Sequence, residues 1–246
     1  MQDGIVKELY LELLKKVILN EIWPDTHIDA DTRRNGLYWP ITAHSMIGRL
    51  RMDNIQHCMT TVLKENIDGD FIETGVWRGG ACIFMRGFLN VNGVNDRRVW
   101  VADSFEGLPK PDEDKYPKDI GDPHHTFDFL RVPLEEVQEN FKKYDLLDEK
   151  VCFLKGWFKD TLPNAPIKKL AILRLDGDMY GSTMDSLRNL YTKVSIGGFI
   201  IVDDFNLPGC NAAVKDFRTE YNVDEPLVNI DASGACYWRK MKDISL

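Results

Sequence analysis

Two apolar runs in this chain each lead directly into a cluster of aspartates. The run 170–175 (LAILRL) precedes Asp176-Gly177-Asp178, and the run 198–202 (GFIIV) precedes Asp203-Asp204. Unbroken apolar runs of this length, bounded by glycine or charge, are typical of strands buried on both faces of a parallel sheet. Open α/β sheets bind their ligands at the carboxyl ends of such strands. Carboxylates converging there would repel one another without a hard cation or a proton, so the pattern predicts a divalent-metal site.

From about residue 68 onward, apolar runs alternate with helical patterns. We predict strands at 70–74, 98–102, 151–154, 170–175 and 198–202, and helices at about 81–91, 133–144, 179–194 and 210–221. The chain then ends in a predicted hairpin with strands at 227–230 and 235–239. This order predicts an α/β fold with a mostly parallel, seven-stranded sheet, helices on both faces and a terminal antiparallel hairpin.

Residues 1–67 precede the predicted sheet. They contain an amphipathic first helix, a loop at 24–40 and a second helix at about 45–65. We expect them to form a helical lid region beside a core of residues 68–246, the two making one structural domain. The loop at 103–132 is too long to be a simple connector, so we expect it to cover the site.

Composition restricts the class of protein. The chain has 246 residues, 43% of them hydrophobic, and a net charge of −8, which argues against binding to nucleic acid or to an anionic membrane. Its five cysteines are scattered without a CxxC pair, as in a reducing cytosol. The N-terminus lacks an uncharged signal core, and no run approaches a membrane span. We therefore expect a cytoplasmic protein.

Three turns after the predicted strands predict a nucleoside pocket. The first runs from Glu73 to Gly80 (ETGVWRGG), where glycines permit a sharp bend and a close approach to a ligand. Asp103 follows the second strand, where a carboxylate can accept both hydroxyls of a ribose. Trp157 and Phe158 follow the third strand and suit the face of an adenine. A plain strand-to-helix turn, a solvated turn acid and core packing of the two aromatics remain open as alternatives.

The predicted metal ligands are Asp176, Asp203 and Asp204. Oxygen-only ligation favours Mg²⁺, with Mn²⁺ or Ca²⁺ as alternatives, and surface acids that merely end strands remain the simpler interpretation. Asp178 is expected to cap the helix beginning near Tyr180. Among the histidines, His44 is a candidate for the wall of a cofactor lid. We expect packing or exposure for His57 and solvent exposure for His124 and His125.

The sequence resembles the macrocin O-methyltransferase family, bacterial enzymes that methylate sugar hydroxyls of macrolide and aminocoumarin antibiotics. The matching segments extend in order over nearly the whole chain, and KGWFKDTLP together with the pair DGDMY and VDDF are the most specific. The resemblance implies the class I S-adenosylmethionine-dependent methyltransferase fold, S-adenosylmethionine as methyl donor, Mg²⁺ held by the three aspartates, Asp176 also acting as base, and a homodimer or larger homo-oligomer. The residues that it places around the cofactor are Thr42, Ser45, Met46, Glu73, Thr74, Gly75, Trp77, Gly79, Asp103, Ser104, Gly156, Trp157, Phe158 and Asp176.

Departures from the family pattern fall where an acceptor would be chosen. This chain has Tyr38 where members often have an acid, Gly181 where they often have Glu, and Asn206 where they usually have Gly. The expected function is thus O-methylation of a sugar hydroxyl on a glycosylated natural product or a nucleotide sugar. A metal-dependent glycosyltransferase that uses the DxD acids and a non-catalytic adenosyl-binding protein are the alternatives.

Overall fold

The computed structural model describes residues 2–245 and contains the predicted mostly parallel sheet. Its strand order is β3-β2-β1-β4-β5-β7-β6; the first five strands in this order are parallel, and the last two form an antiparallel hairpin that joins at β5. The strands are β1 (Asp70–Thr74), β2 (Val99–Asp103), β3 (Val151–Lys155), β4 (Leu170–Leu175), β5 (Val194–Val202), β6 (Val228–Asn229) and β7 (Cys236–Arg239).

Eight α-helices accompany the sheet in the described part of the chain. They are α1 (Gln2–Ile18), α2 (Ala30–Arg34), α3 (Gly48–Lys64), α4 (Gly80–Val91), α5 (Leu134–Lys143), α6 (Phe158–Thr161), α7 (Tyr180–Leu190) and α8 (Pro208–Glu220). The predicted loop at 24–40 therefore contains a short helix, which Asp29 caps at its N-terminus. The long loop before α5 is not fully irregular either, because it contains three short 3₁₀ turns.

The predicted strand and helix positions are confirmed, and their ends shift by a few residues. The largest differences lie between α7 and β5. The predicted helix at 179–194 stops at Leu190 and continues as a 3₁₀ turn, while β5 begins at Val194 rather than at residue 198. Gly197 and Gly198 interrupt the apolar pattern without ending the strand, since the pairing of β4 with β5 shifts register between Leu170 and Ile172.

Each face of the sheet packs against its own group of helices. On one face, buried residues of α1, α3, α4 and α5 pack against the strands, among them Ile18, Ile55, Phe84 and Phe141. On the other face, α7 and α8 supply residues such as Leu187 and Phe217. Residues preceding the sheet therefore share a hydrophobic core with it. The boundary at residue 67 stays a prediction.

The opposite side of α1 is apolar and exposed. Ile5, Val6, Leu9 and Leu13 each have more than half of their surface accessible, and Val17 continues the stripe. None of the described helices is long and apolar enough to cross a membrane.

The segment between α2 and α3 is fastened to the core at His44. Its backbone N–H donates to the carbonyl of Ile18 (2.9 Å), and its own carbonyl accepts from the N–H of Gly80 (2.9 Å). Its ring Nδ1 lies 2.5 Å from the Tyr144 hydroxyl. Burial lowers the pKa of His44 to about 4, with the charges of Lys143 and Arg78 acting in the same direction. His44 thus packs behind this segment as a neutral ring.

We expect this buried imidazole to make the protein sensitive to acid. The unfolded chain takes up a proton near pH 6.5 and the folded chain only near pH 4, so stability is lost as the pH falls through that interval. His44→Gln should lose less stability than the wild type between about pH 7 and about pH 5, as measured by urea unfolding. Above about pH 7 the two proteins should show the same pH dependence. An equal loss in both at low pH would contradict this assignment.

Candidate active site

A cavity of about 370 Å³ lies at the carboxyl ends of the parallel strands. Its walls are formed by the turns after these strands, by residues 36–47 before α3 and by the long loop before α5. The cavity brings together most of the predicted site residues, namely Ser45, Met46, Glu73, Gly75, Trp77, Asp103, Ser104, Gly156, Trp157, Phe158, Asp176, Asp203 and Asp204. The three positions that depart from the family pattern, Tyr38, Gly181 and Asn206, also lie in its wall.

Three predicted residues lie outside the cavity wall. The hydroxyl of Thr42 accepts a hydrogen bond from Asn20 (2.8 Å). Thr74 is buried within β1, and its hydroxyl donates to the carbonyl of Arg174 (3.4 Å). Gly79 precedes α4 with a φ of 84°, and a Cβ there would stand 2.8 Å from Val137. Thr74 and Gly79 are buried, whereas Thr42 is exposed.

The turn after β1 requires a glycine at position 75. Gly75 has a φ of 89°, and a Cβ on it would stand 1.6 Å from the carbonyl oxygen of Asp176. Its N–H donates to the carbonyl of Ala102 at the end of β2 (2.9 Å). The backbone of β1 therefore passes directly against the turn that carries the acids of β4.

Asp103 ties the turns after β1 and β2 together. Its Oδ2 accepts from the N–H of Val76 and its Oδ1 from the N–H of Phe105, both at 2.7 Å. Burial raises the pKa of Asp103, and these hydrogen bonds oppose the rise. The Ser104 hydroxyl also lies 3.3 Å from Oδ1, so Oδ2 is the oxygen that keeps a lone pair for a further donor.

An aromatic wall follows β3. Trp157 and Phe158 both line the cavity, and Phe158 also packs against the core on the α7 side. Across the cavity, Trp77 donates its ring N–H to the carbonyl of Phe129 (3.0 Å), and the ring of Trp39 stacks on that of Phe129 at 5.3 Å. These contacts join the turn after β1, the segment before α3 and the long loop.

The predicted metal ligands converge at the ends of β4 and β5. Asp176, Asp203 and Asp204 each offer one oxygen within 4.8 Å of the other two. Burial and then the charge of Asp203 raise the pKa of Asp176 to about 6. Burial, followed by the charges of its acidic neighbours, raises the pKa of Asp204 well above its usual range. Asp203 is buried and the other two are half-buried, so the three hard oxygen donors form a mutually repelling group that fits a divalent cation.

Two arginines already bind part of this acid group. Arg174 of β4 is fully buried and forms ion pairs with Glu73, with Asp176 (2.5 Å) and with Oδ1 of Asp203. Arg51 of α3 binds Oδ2 of Asp203 as well as Asp231 (2.6 Å). Both oxygens of Asp203 therefore face guanidinium groups.

These ion pairs were not anticipated from the sequence, although Arg174 is a single charge inside an otherwise apolar run. They also change the expected role of Glu73. Its carboxylate accepts from Arg174 on one oxygen and from the Cys82 thiol on the other (3.0 Å), so it serves as a buried counter-ion.

The expectation that Asp178 caps α7 is wrong. The residue that precedes α7 is Met179, and α7 has no side-chain cap of its own. Asp178 has a φ of 57° and lies in the cavity wall, where burial and then the charge of Asp176 raise its pKa to about 7. The cap comes instead from Asp119 of the long loop, which accepts from the N–H groups of Tyr180 (2.6 Å) and Gly181 (2.8 Å). No local pattern in the sequence points to Asp119.

The expectation of solvent exposure is also wrong for His124. Its side chain is 20% exposed and lies in the cavity wall. Its Nδ1 is 2.8 Å from the carboxylate of Asp122, and its ring packs edge-on against Phe127. His57, in contrast, is exposed on α3 as expected.

Comparison with known proteins identifies the family of this chain. The family model of the macrocin-O-methyltransferases (TylF) matches residues 24–240. The chain is 49% identical to the 8-demethyl-8-(2,3-dimethoxy-alpha-L-rhamnosyl)-tetracenomycin-C 4'-O-methyltransferase of Streptomyces olivaceus, a match that covers 95% of this chain and 93% of that one. It is 49% identical to the demethyldecarbamoylnovobiocin O-methyltransferase of Streptomyces niveus (95% and 94% covered). It is 47% identical to the mycinamicin III 3''-O-methyltransferase of Micromonospora griseorubida (95% and 96% covered).

The solved structures agree with the sequence matches. The structure of the O-methyltransferase NovP gives a TM-score of 0.92 at 48% identity, covering 96% of this chain and all of that one. The calicheamicin methyltransferase CalS11, at 18% identity and a TM-score of 0.61, covers 94% of this chain and 91% of its own and shares the fold. The resemblance and the fold class are thereby confirmed: the chain belongs to the macrocin-O-methyltransferase family and is an O-methyltransferase with the class I fold.

Proposed function

We propose that this enzyme transfers a methyl group from S-adenosylmethionine to a sugar hydroxyl of a glycosylated natural product, and that it requires Mg²⁺. One observation carries the proposal: three aspartates converge within 4.8 Å in the same cavity as a glycine turn, a ribose-type carboxylate and an aromatic wall. The family implies S-adenosylmethionine as the methyl donor. The glycosyltransferase alternative is not retained, because the family consists of methyltransferases.

The acceptor class is supported by the relatives. The enzyme from Streptomyces olivaceus is named for a rhamnosyl group on tetracenomycin C, and the one from Micromonospora griseorubida for the 3'' position of mycinamicin III. We infer that this chain also acts on a sugar attached to a larger aglycone. The residues that would select an acceptor different from those of the relatives are Tyr38, Gly181 and Asn206 in the cavity wall.

The cofactor would lie on the β1–β3 side of the cavity. Oδ2 of Asp103 has a free lone pair for a ribose hydroxyl, and Trp157 offers a flat face for the adenine. Ser45 and Met46 come from the segment fastened by His44 and would close over the methionine end. Thr74 and Gly79, which are buried, would act from behind the wall.

The cation would lie on the β4–β5 side, held by Asp176, Asp203 and Asp204. When bound, S-adenosylmethionine supplies the methyl group and Mg²⁺, or Mn²⁺ or Ca²⁺ in its place, stabilises negative charge on the acceptor oxygen. A sugar hydroxyl holds its proton tightly, so the chain must also provide a base. We assign that role to Asp176: its Oδ2 is paired with Arg174, so its Oδ1, which would contact the cation, would also accept the hydroxyl proton.

We also propose a homodimer formed through α1. The exposed stripe of Ile5, Leu9 and Leu13 is continuous along one face, and continuous apolar patches on soluble proteins commonly mark interfaces. A twofold arrangement would bury the same stripe from both copies.

The metal proposal predicts a severe loss on changing Asp204, which makes no ion pair with an arginine in the described structure. Asp204→Asn should reduce turnover of S-adenosylmethionine on a demethyldecarbamoylnovobiocin-type acceptor by about 100-fold or more, because a ligand and its charge are lost. Binding of S-adenosylhomocysteine, measured by calorimetry, should persist. Asp68→Asn, at an exposed ion pair with Lys169, is the matched control and should keep full turnover. Full turnover in Asp204→Asn would refute the metal mechanism.

The dimer proposal predicts dissociation when the stripe becomes charged. Leu9→Glu should shift the protein from dimer to monomer in size-exclusion chromatography with light scattering, while its circular dichroism stays unchanged, because Leu9 is 65% exposed within one chain. Ile196→Glu alters an apolar residue of similar exposure outside α1 and should remain dimeric. A monomeric wild type, or a dimeric Leu9→Glu, would exclude this interface.

A further inference from the structure

The start of α7 lies beside the acids of the site and depends on a distant residue. The turn 176–178 leads through Met179 into the helix, whose first N–H groups have no partner within the helix. A cap from Asp178 would draw that carboxylate away from the cavity. Instead, the N–H groups of Tyr180 and Gly181 donate to the two oxygens of Asp119, at 2.6 and 2.8 Å.

The carboxylate of Asp119 packs against two glycines. The residue is 2% exposed and belongs to a 3₁₀ turn of the long loop. A Cβ on Gly181 would stand 3.2 Å from its Oδ2, and a Cβ on Gly209 would stand 3.1 Å from its Oδ1. The same Cβ on Gly181 would also meet the Tyr116 ring at 2.5 Å. A larger residue at 181 would therefore displace the Tyr116 ring, and one at 209 would crowd Asp119 and the backbone N of Tyr180 (2.9 Å).

Other contacts hold the same loop against the outer sides of α7 and α8. The Tyr116 hydroxyl donates to Asp185 (2.6 Å), and Lys118 pairs with Asp216. Among these loop contacts, that of Asp119 is made at the first turn of α7, two residues after Asp178. Mutations can therefore remove a loop anchor and the cap beside the turn 176–178 (the acid turn) separately.

The acid turn is fixed on its other sides as well. The N–H of Asp178 donates to Oδ2 of Asp204 (3.0 Å), and Asp178 keeps a left-handed backbone that a non-glycine residue seldom adopts. On the β1 side, the N–H of Asp176 donates to the carbonyl of Thr74 (2.9 Å). The first turn of α7 is the remaining support, and a carboxylate from the loop completes it.

We propose that Asp119 is a positioning residue, which caps α7 from the long loop and so holds the turn 176–178 with its carboxylates directed into the cavity. The idea rests on the proposed function in assigning a cation to those acids. The long loop then has a second role besides covering the site, because the conformation of the acid turn depends on the packing of the loop against α7.

The test uses the full-length protein, Mg²⁺ and S-adenosylhomocysteine as probes, and three variants. In Asp119→Ala, hydrogen exchange at the Tyr180 and Gly181 amides should quicken by about tenfold, and calorimetric affinity for Mg²⁺ should fall by about fivefold. Affinity for S-adenosylhomocysteine should stay within about twofold of the wild type, because the β1–β3 side is untouched. Asp119→Asn keeps one accepting oxygen and should give intermediate values. Tyr116→Phe removes the hydroxyl that anchors the loop to Asp185 and leaves the cap in place, so it should match the wild type.

Two results would overturn the proposal: unchanged exchange at both amides in Asp119→Ala, or equal losses in Tyr116→Phe, which would reduce Asp119 to a loop anchor. If the wild type itself does not bind Mg²⁺, the proposed metal fails, while the exchange measurement still decides the role of Asp119. If Asp119→Ala does not fold, Asp119→Asn decides by the same exchange and affinity criteria.

Discussion

The site depends on the buried guanidinium of Arg174. A charge fully removed from water is tolerated only with close partners of opposite sign, and Arg174 has three: Glu73 on β1, Asp176 after β4 and Asp203 after β5. These acids follow or belong to three adjacent strands, so one side chain fixes the relative positions of their ends. Arg51 adds α3 to the same network through Asp203. The geometry of the acids is therefore established by the folded chain itself.

The sheet topology divides the cavity into two halves around this network. Strand order reverses at β1, with β2 and β3 on one side and β4 and β5 on the other, and such reversals create the crevice in which α/β proteins bind ligands. Asp103 and Trp157 lie on the first side and the acid group on the second. Asp178 and Asp204 form no ion pair with either arginine in the described structure. Burial and the charges of neighbouring acids therefore raise the pKa values of both residues. A methyl donor bound on the first side and a cation bound on the second would lie next to each other between β1 and β4.

Much of this was predictable from the sequence, because strand positions and strand-end acids follow from local patterns. The apolar runs predict both ends of β1 and of β4 correctly, and the three predicted ligands do converge. The prediction failed where side chains meet across long separations. Asp119 caps a helix 61 residues away, and no sequence pattern near Asp178 indicates that another residue caps α7. Arg174 was visible as a charge within a buried run, but its three partners required the fold.

The central claim is that one cavity holds both the methyl donor and a divalent cation. The most direct test is a crystal structure with S-adenosylhomocysteine and Mn²⁺, recorded at a wavelength at which manganese scatters anomalously. We expect one anomalous peak per chain, ligated by Asp176, Asp203 and Asp204, with the adenosyl group between Asp103 and Trp157. Bound S-adenosylhomocysteine with no peak at these aspartates, or with a peak elsewhere in the chain, would contradict it.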